Sequence, residues 1–204
     1  MFLRTARCLT PPFATLLVAG SLQGFQAPDS NSRLEILDPF LATRIQLLEE
    51  RSPQLRAAMD AARAGPIPVV IGTPVQVQER LGGQLNLAKE IGNERIGEFR
   101  ARRPDPELPE IDLVVIRVDL TALHRAAKRR LIGGTAWLER TTDAIVIHEL
   151  WGHAVPVLAA GSITGRCPDP RPGEVEAESC VMRRESVLRA ELGLSPRKTY
   201  SISR

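Results

Sequence analysis

Apolar and polar residues alternate along this chain with two different periods, and the switches between them outline its elements. From Asp38 to Ala64 the period is helical: Leu41, Ile45, Leu47 and Leu48 recur near helical spacing after an Asp38-Pro39 start signal. Ser52-Pro53 restarts a second helix toward Ala62. The run Ile67-Pro68-Val69-Val70-Ile71-Gly72 predicts a short buried strand, and Val75 and Val77, alternating with polar neighbours, predict a half-exposed one before the Gly82-Gly83 turn. Residues 84–103 are ambiguous between the two periods, and the segment from Arg103 to Glu110, with three prolines, is a loop.

The second half is more strongly patterned. Ile111 to Val118 is the strongest strand, Leu120 to Leu131 a helix, and Thr135 to Leu138 a short edge strand. Thr141-Thr142-Asp143 caps a further helix, whose Ala144, Ile145, Val146, Ile147 and Leu150 bury it under the sheet. Pro156 argues that this helix stops soon after His153. A proline-rich loop from Gly161 to Gly173 precedes a final helix from about Glu174 to Leu192, ended by Gly193. No internal repeat or low-complexity tract interrupts the pattern. The expectation is one α+β domain over residues 28–204, a short mixed sheet with helices.

Residues 1–27 stand apart. Arg4 and Arg7 precede the apolar run Phe13 to Gly20, and no acidic residue occurs before Asp29, which is the pattern of a secretory signal. The run is too short for a membrane span. Cleavage after Ala27, where Pro28 follows, or nearer Gly20 or Gly24 fits this pattern, and the rival is a disordered cytosolic N-terminus. The expected compartment is therefore periplasmic or extracellular, with no stable membrane span once the signal is removed.

Export changes the charge balance. The chain carries 27 basic and 24 acidic residues, and losing two arginines with the signal leaves 25 against 24. So small a surplus gives no general attraction for nucleic acid, and aromatic residues for base stacking are few. The basic stretch His124 to Arg130 then reads as a solvated helix face, and His124 as a surface or packing residue. Cys8 would leave with the signal. Cys167 and Cys180 remain, either paired in an oxidising compartment or as two thiols, with Cys180 packed as a small apolar residue.

The chemistry concentrates in His148-Glu149-Leu150-Trp151-Gly152-His153. Two imidazoles flanking a carboxylate are suited to hold zinc and keep a general base, Glu149, beside the water the metal activates. In the common His-Glu-x-x-His motif the histidines are four apart and share a helix face; here they are five apart. In a regular helix that turns the second ring about 140° from the first. Joint ligation by His148 and His153 therefore needs one extra residue absorbed as a π-bulge, with Gly152 the point of least backbone resistance.

His-Glu-Leu-x-Gly-His resembles the zinc motif of the dipeptidyl peptidase III family, where the same spacing binds zinc and a glutamate from a following helix completes the site. A second resemblance spans Thr142 to Glu149, Glu178, the run Glu185-Ser186-Val187-Leu188-Arg189-Ala190-Glu191-Leu192-Gly193-Leu194-Ser195-Pro196-Arg197, and Tyr200. These look like the C-terminal half of metallopeptidase-type effector and polymorphic-toxin domains. Ser186 stands where that pattern often has Asn, and the long histidine spacing departs from its usual short motif. The resemblance implies a minimal zincin-like domain: a short sheet, a zinc-binding helix and a following glutamate helix.

On the last helix Glu174, Glu178 and Glu185 share a face, whereas Glu176 points elsewhere. The resemblance implies Glu178 as the third zinc ligand, seven residues before Glu185-Ser186. Glu185 then becomes a candidate for orienting a ligand histidine through its other ring nitrogen. Tyr200 is a candidate donor to an oxyanion, with a disordered terminus as the competing account. The expected function is an exported zinc metallopeptidase acting on a peptide or protein substrate, with Thr135–Leu138 as the edge that receives it. The alternatives are a secreted domain merely stapled by zinc, and a metal-free interaction module.

Overall fold

Asp38 and Ser52 each begin a helix by the same device, a side-chain oxygen that accepts the N–H groups left open by the first turn. In the computed structural model, which describes residues 33–82, 96–130, 132–167 and 180–196, Asp38 caps α1 (Pro39–Arg51) and Ser52 caps α2 (Pro53–Ala64). Each helix has its proline in the first turn, where the missing N–H does no harm. These helices connect β1 (Leu34–Ile36) to β2 (Val69–Gly72). The chain continues through α3 (Pro74–Leu81), β3 (Gly97–Arg102), β4 (Leu113–Val118) and α4 (Leu120–Lys128). A long helical stretch follows, built of α5 (Gly134–Val146), a π-helical segment (Ile147–Ala154) and α6 (Val155–Ala160). The last element is α7 (Cys180–Glu191).

The four strands form one mixed sheet in the order β1-β2-β4-β3. The first three are parallel, and β3 runs antiparallel along β4 at the sheet's edge. The architecture is α+β, as expected. Alternation along the strands divides the core in two. Val69, Ile71, Val114, Ile116 and Val118 face the large cluster shared with α1, α2 and the long helical stretch, while Val70, Leu113 and Val115 pack with Val77 and Leu81 of α3. Among the described residues no helix is long and apolar enough to cross a membrane.

Four local expectations are corrected. Val75 and Val77 lie in helix α3, not a strand, because Thr73 and Gln76 form a reciprocal capping box ahead of them. Val77 and Leu81, four apart, are the buried pair, whereas Val75 is 65% exposed. Residues 135–138 belong to α5 and not to an edge strand. The helix begins after Gly133, whose φ of 70° suits glycine, and Leu138, Thr142 and Ile145 line its buried side.

Thr141-Thr142-Asp143 is correspondingly not a cap. The Thr142 hydroxyl donates to the Leu138 carbonyl within the helix, and Asp143 accepts two bonds from Arg44 of α1. Nor does Pro156 end the helix. The Val155 N–H reaches five residues back to Leu150, so the hydrogen-bond ladder changes register just before the residue that has no N–H to contribute.

Candidate metal centre

The π-helical segment carries the whole six-residue motif. Its wide turn brings residues five apart toward a common face, as an α-helix does for residues four apart. The His148 and His153 rings accordingly lie together, with centroids 5.0 Å apart and planes nearly perpendicular at 87°. His148 and Glu149 are buried, and His153 is half-buried. The apolar residues Ile147, Leu150 and Ala154 between them pack into the main core and hold the segment against the sheet.

Helix α7 supplies the opposing wall. Val181 sits against Gly152, where a Cβ would come within 2.7 Å of its Cγ1. Trp151 donates its indole N–H to the Arg184 carbonyl at 2.9 Å, and Glu185 meets His148. Motif positions therefore fall as α7 positions rise, so the two helices run antiparallel. Gly152 serves this close approach; its backbone is not in the left-handed region. The start of α7 is tied by a Cys167–Cys180 disulfide to the loop after α6. Its far end is held by Ser52 and the Gln54 N–H on Glu191, and by Arg51 on the Leu192 carbonyl.

Glu185 is fully buried, with Oε2 at 3.0 Å from Nδ1 of His148 and Oε1 at 3.4 Å from a guanidinium nitrogen of Arg189. A carboxylate on Nδ1 holds the imidazole proton there and leaves Nε2 as the nitrogen able to bind a metal. Two neighbouring imidazoles, one of them set in this way, are a donor pair that fits zinc.

The edge strand β3 forms the third side, and its contribution was not foreseen. Phe99 stacks on His153 with ring centroids 5.8 Å apart and planes 13° from parallel. Gly97 lies against Glu149 and Ile145. The signal was present in the sequence: Glu98, Arg100 and Arg102 alternate with Phe99 and Ala101. On the far face of the sheet Glu98 pairs with buried Arg117, its register partner on β4. Burial holds the Arg117 guanidinium below its ordinary pKa.

The structure thus pairs His148 with His153 and with Glu185, and places Glu149 of the same segment against Gly97 of β3. Glu174, Glu176, Glu178, Arg197 and Tyr200 lie outside the described residues. Among the described residues no three His, Cys, Asp or Glu side chains converge as a metal-binding group. His124 is exposed on α4, its ring 6.3 Å from that of Phe40. Searches of protein-family models, curated proteins and solved structures found nothing that matches the chain.

Proposed function

We propose that this chain is an exported zinc metallopeptidase. The observation that carries the reading is the π-helical turn, which pairs His148 with His153 while Glu185 holds Nδ1 of His148. An ordinary α-helix with the same sequence would turn these rings apart. His148 and His153 would hold the metal, with Glu178 as the third ligand implied by the family resemblance. Zinc, when bound, supplies the Lewis acidity that polarises a peptide carbonyl and acidifies water.

Glu149 is the general base. It takes a proton from the attacking water and returns it to the leaving amine as the peptide bond breaks. Its burial on the π-helical segment that carries both histidines supports the role. Strand β3 would receive the substrate: it ends the sheet on the side of His153, and an extended peptide can add to such an edge through backbone hydrogen bonds. The N-terminal apolar run and the Cys167–Cys180 disulfide support export, since disulfides persist in oxidising compartments.

The test is zinc content by elemental mass spectrometry in the mature protein and in His148→Ala, His153→Ala and Glu178→Ala. About one zinc per chain in wild type, reduced in each variant, is expected. Glu149→Gln should keep the zinc and lose on the order of a hundredfold or more in peptide cleavage. A wild type that takes up no zinc, even when refolded with it, would leave a metal-free interaction domain as the reading. Zinc without cleavage would leave a metal-stapled one.

A further inference from the structure

Two alternate positions of β3 each touch one of the motif's side chains: Phe99 stacks on His153, and Gly97 abuts Glu149. We propose that Gly97 is a positioning residue, whose missing side chain lets the Glu149 carboxylate lie against the edge strand. Its functional meaning rests on Glu149 acting as the base; its steric content does not.

A Cβ on Gly97 would lie 2.5 Å from Cγ2 of Ile145, 2.9 Å from Oε1 of Glu149 and 3.1 Å from Cγ of Glu149. The first two are shorter than a methyl group tolerates. The backbone of Gly97 is not in the left-handed region, so the conformation does not call for glycine there. The space does.

Neither wall retreats easily. Strand β3 is held in register by Gly97 opposite Val118 and Phe99 opposite Ile116, by the Glu98–Arg117 pair, and by the Asp119 N–H on the Ile96 carbonyl at 2.8 Å. The helical wall is fixed by Ile145 in the core, and the motif turn beyond it by Gly152 against Val181. Of the atoms a new Cβ would crowd, Cγ2 of Ile145 belongs to the core, whereas Oε1 is the far end of the Glu149 side chain. A methyl group at 97 therefore strains the core through Ile145, and once Ile145 is cut back to alanine the Glu149 carboxylate is the contact that must yield; about 1 Å of misplacement is enough to lose on the order of a hundredfold in rate.

The experiment compares wild type, Ile145→Ala, Gly97→Ala and the double variant Gly97→Ala/Ile145→Ala. Removing the Ile145 methyl groups vacates space for the new Cβ, so the double variant folds with Glu149 as its remaining conflict. Zinc content, kcat and KM are measured on one quenched fluorescent peptide selected from a mixed-sequence library, and the metal-free double variant is crystallised. Zinc content should stay unchanged, KM should stay within about twofold, and kcat should fall at least about tenfold relative to Ile145→Ala. The carboxylate should move by about 1 Å. An unmoved carboxylate overturns the proposal, as does a kcat equal to that of Ile145→Ala. Were the wild type to bind no zinc and cleave nothing, the peptidase reading would fail, and the crystallographic comparison would still decide the role of Gly97.

Discussion

Glu185 is the most deeply buried acidic residue in the described part of the chain, and its Oε2 lies 3.0 Å from Nδ1 of His148. A buried carboxylate needs partners, and those of Glu185 include the imidazole and Arg189. The contact sets which imidazole nitrogen carries the proton. Glu185→Ala should therefore weaken zinc binding about 10- to 100-fold, measured by competition with a chromophoric chelator. Glu185→Gln, which keeps an acceptor oxygen, should lose less. Equal zinc affinity in wild type and Glu185→Ala would show that the contact serves packing alone.

Gly152 shows how closely α7 is fitted to the motif. Its added Cβ would stand 2.7 Å from Cγ1 of Val181, so Gly152→Ala should destabilise the protein by about 1–3 kcal/mol through overpacking. Val181→Ala alone should also destabilise, by opening a small cavity. Combined, the two changes should cost less than their sum, because each removes the other's conflict. Urea unfolding of the four proteins measures this coupling, and strict additivity would mean that the helices part freely at this point.

How far the sequence disclosed this arrangement depended on whether a residue's signal was local. Asp38-Pro39 and Ser52-Pro53 carry their caps with them, so the starts of α1 and α2 were legible in the sequence. Joint ligation by histidines five apart required a π turn, and a π-helical segment spans those residues. Thr141-Thr142-Asp143 misled because its polar side chains find partners that local reading cannot see. One is inside the helix and the other is Arg44, 99 residues away. Strand β3 was missed for a related reason. Gly97 and Phe99 acquire meaning only through Glu149 and His153, which tertiary packing brings to them.

The Cys167–Cys180 disulfide closes a loop of sequence separation 13 and fastens the first residue of α7. Loops of that size correspond to about 3 kcal/mol of stability through restriction of the unfolded chain. Replacing both cysteines by serine should lower stability by about that amount in urea titration. Because α7 also carries Glu185, zinc affinity should fall in the same variant. Full stability after the replacement would mean that Ser52, Arg51 and the core contacts of α7 suffice to seat it.

Arg44 joins α1 to α5 at Asp143, five residues before His148, with its Nε 2.8 Å from Oδ1 and a terminal nitrogen 2.5 Å from Oδ2. Both side chains are largely buried, and the bond to Asp143 raises the Arg44 pKa above its ordinary value. A pKa raised by folding stabilises at every pH below the unfolded value and is lost only as pH climbs past it, so Arg44 ionisation adds no pH dependence near neutrality. Either single change, Arg44→Met or Asp143→Leu, strands a charge in a largely buried place and should cost about 2–3 kcal/mol. Together they exchange an ion pair for apolar contact and should recover most of that loss, because desolvation offsets much of what such a pair contributes. Zinc affinity should follow the same pattern if Arg44 acts on the motif only by holding α5 in place. A double variant as unstable as the summed singles would show instead that the two charges contribute through separate partners, for Arg44 the neighbouring Glu139 at 3.6 Å.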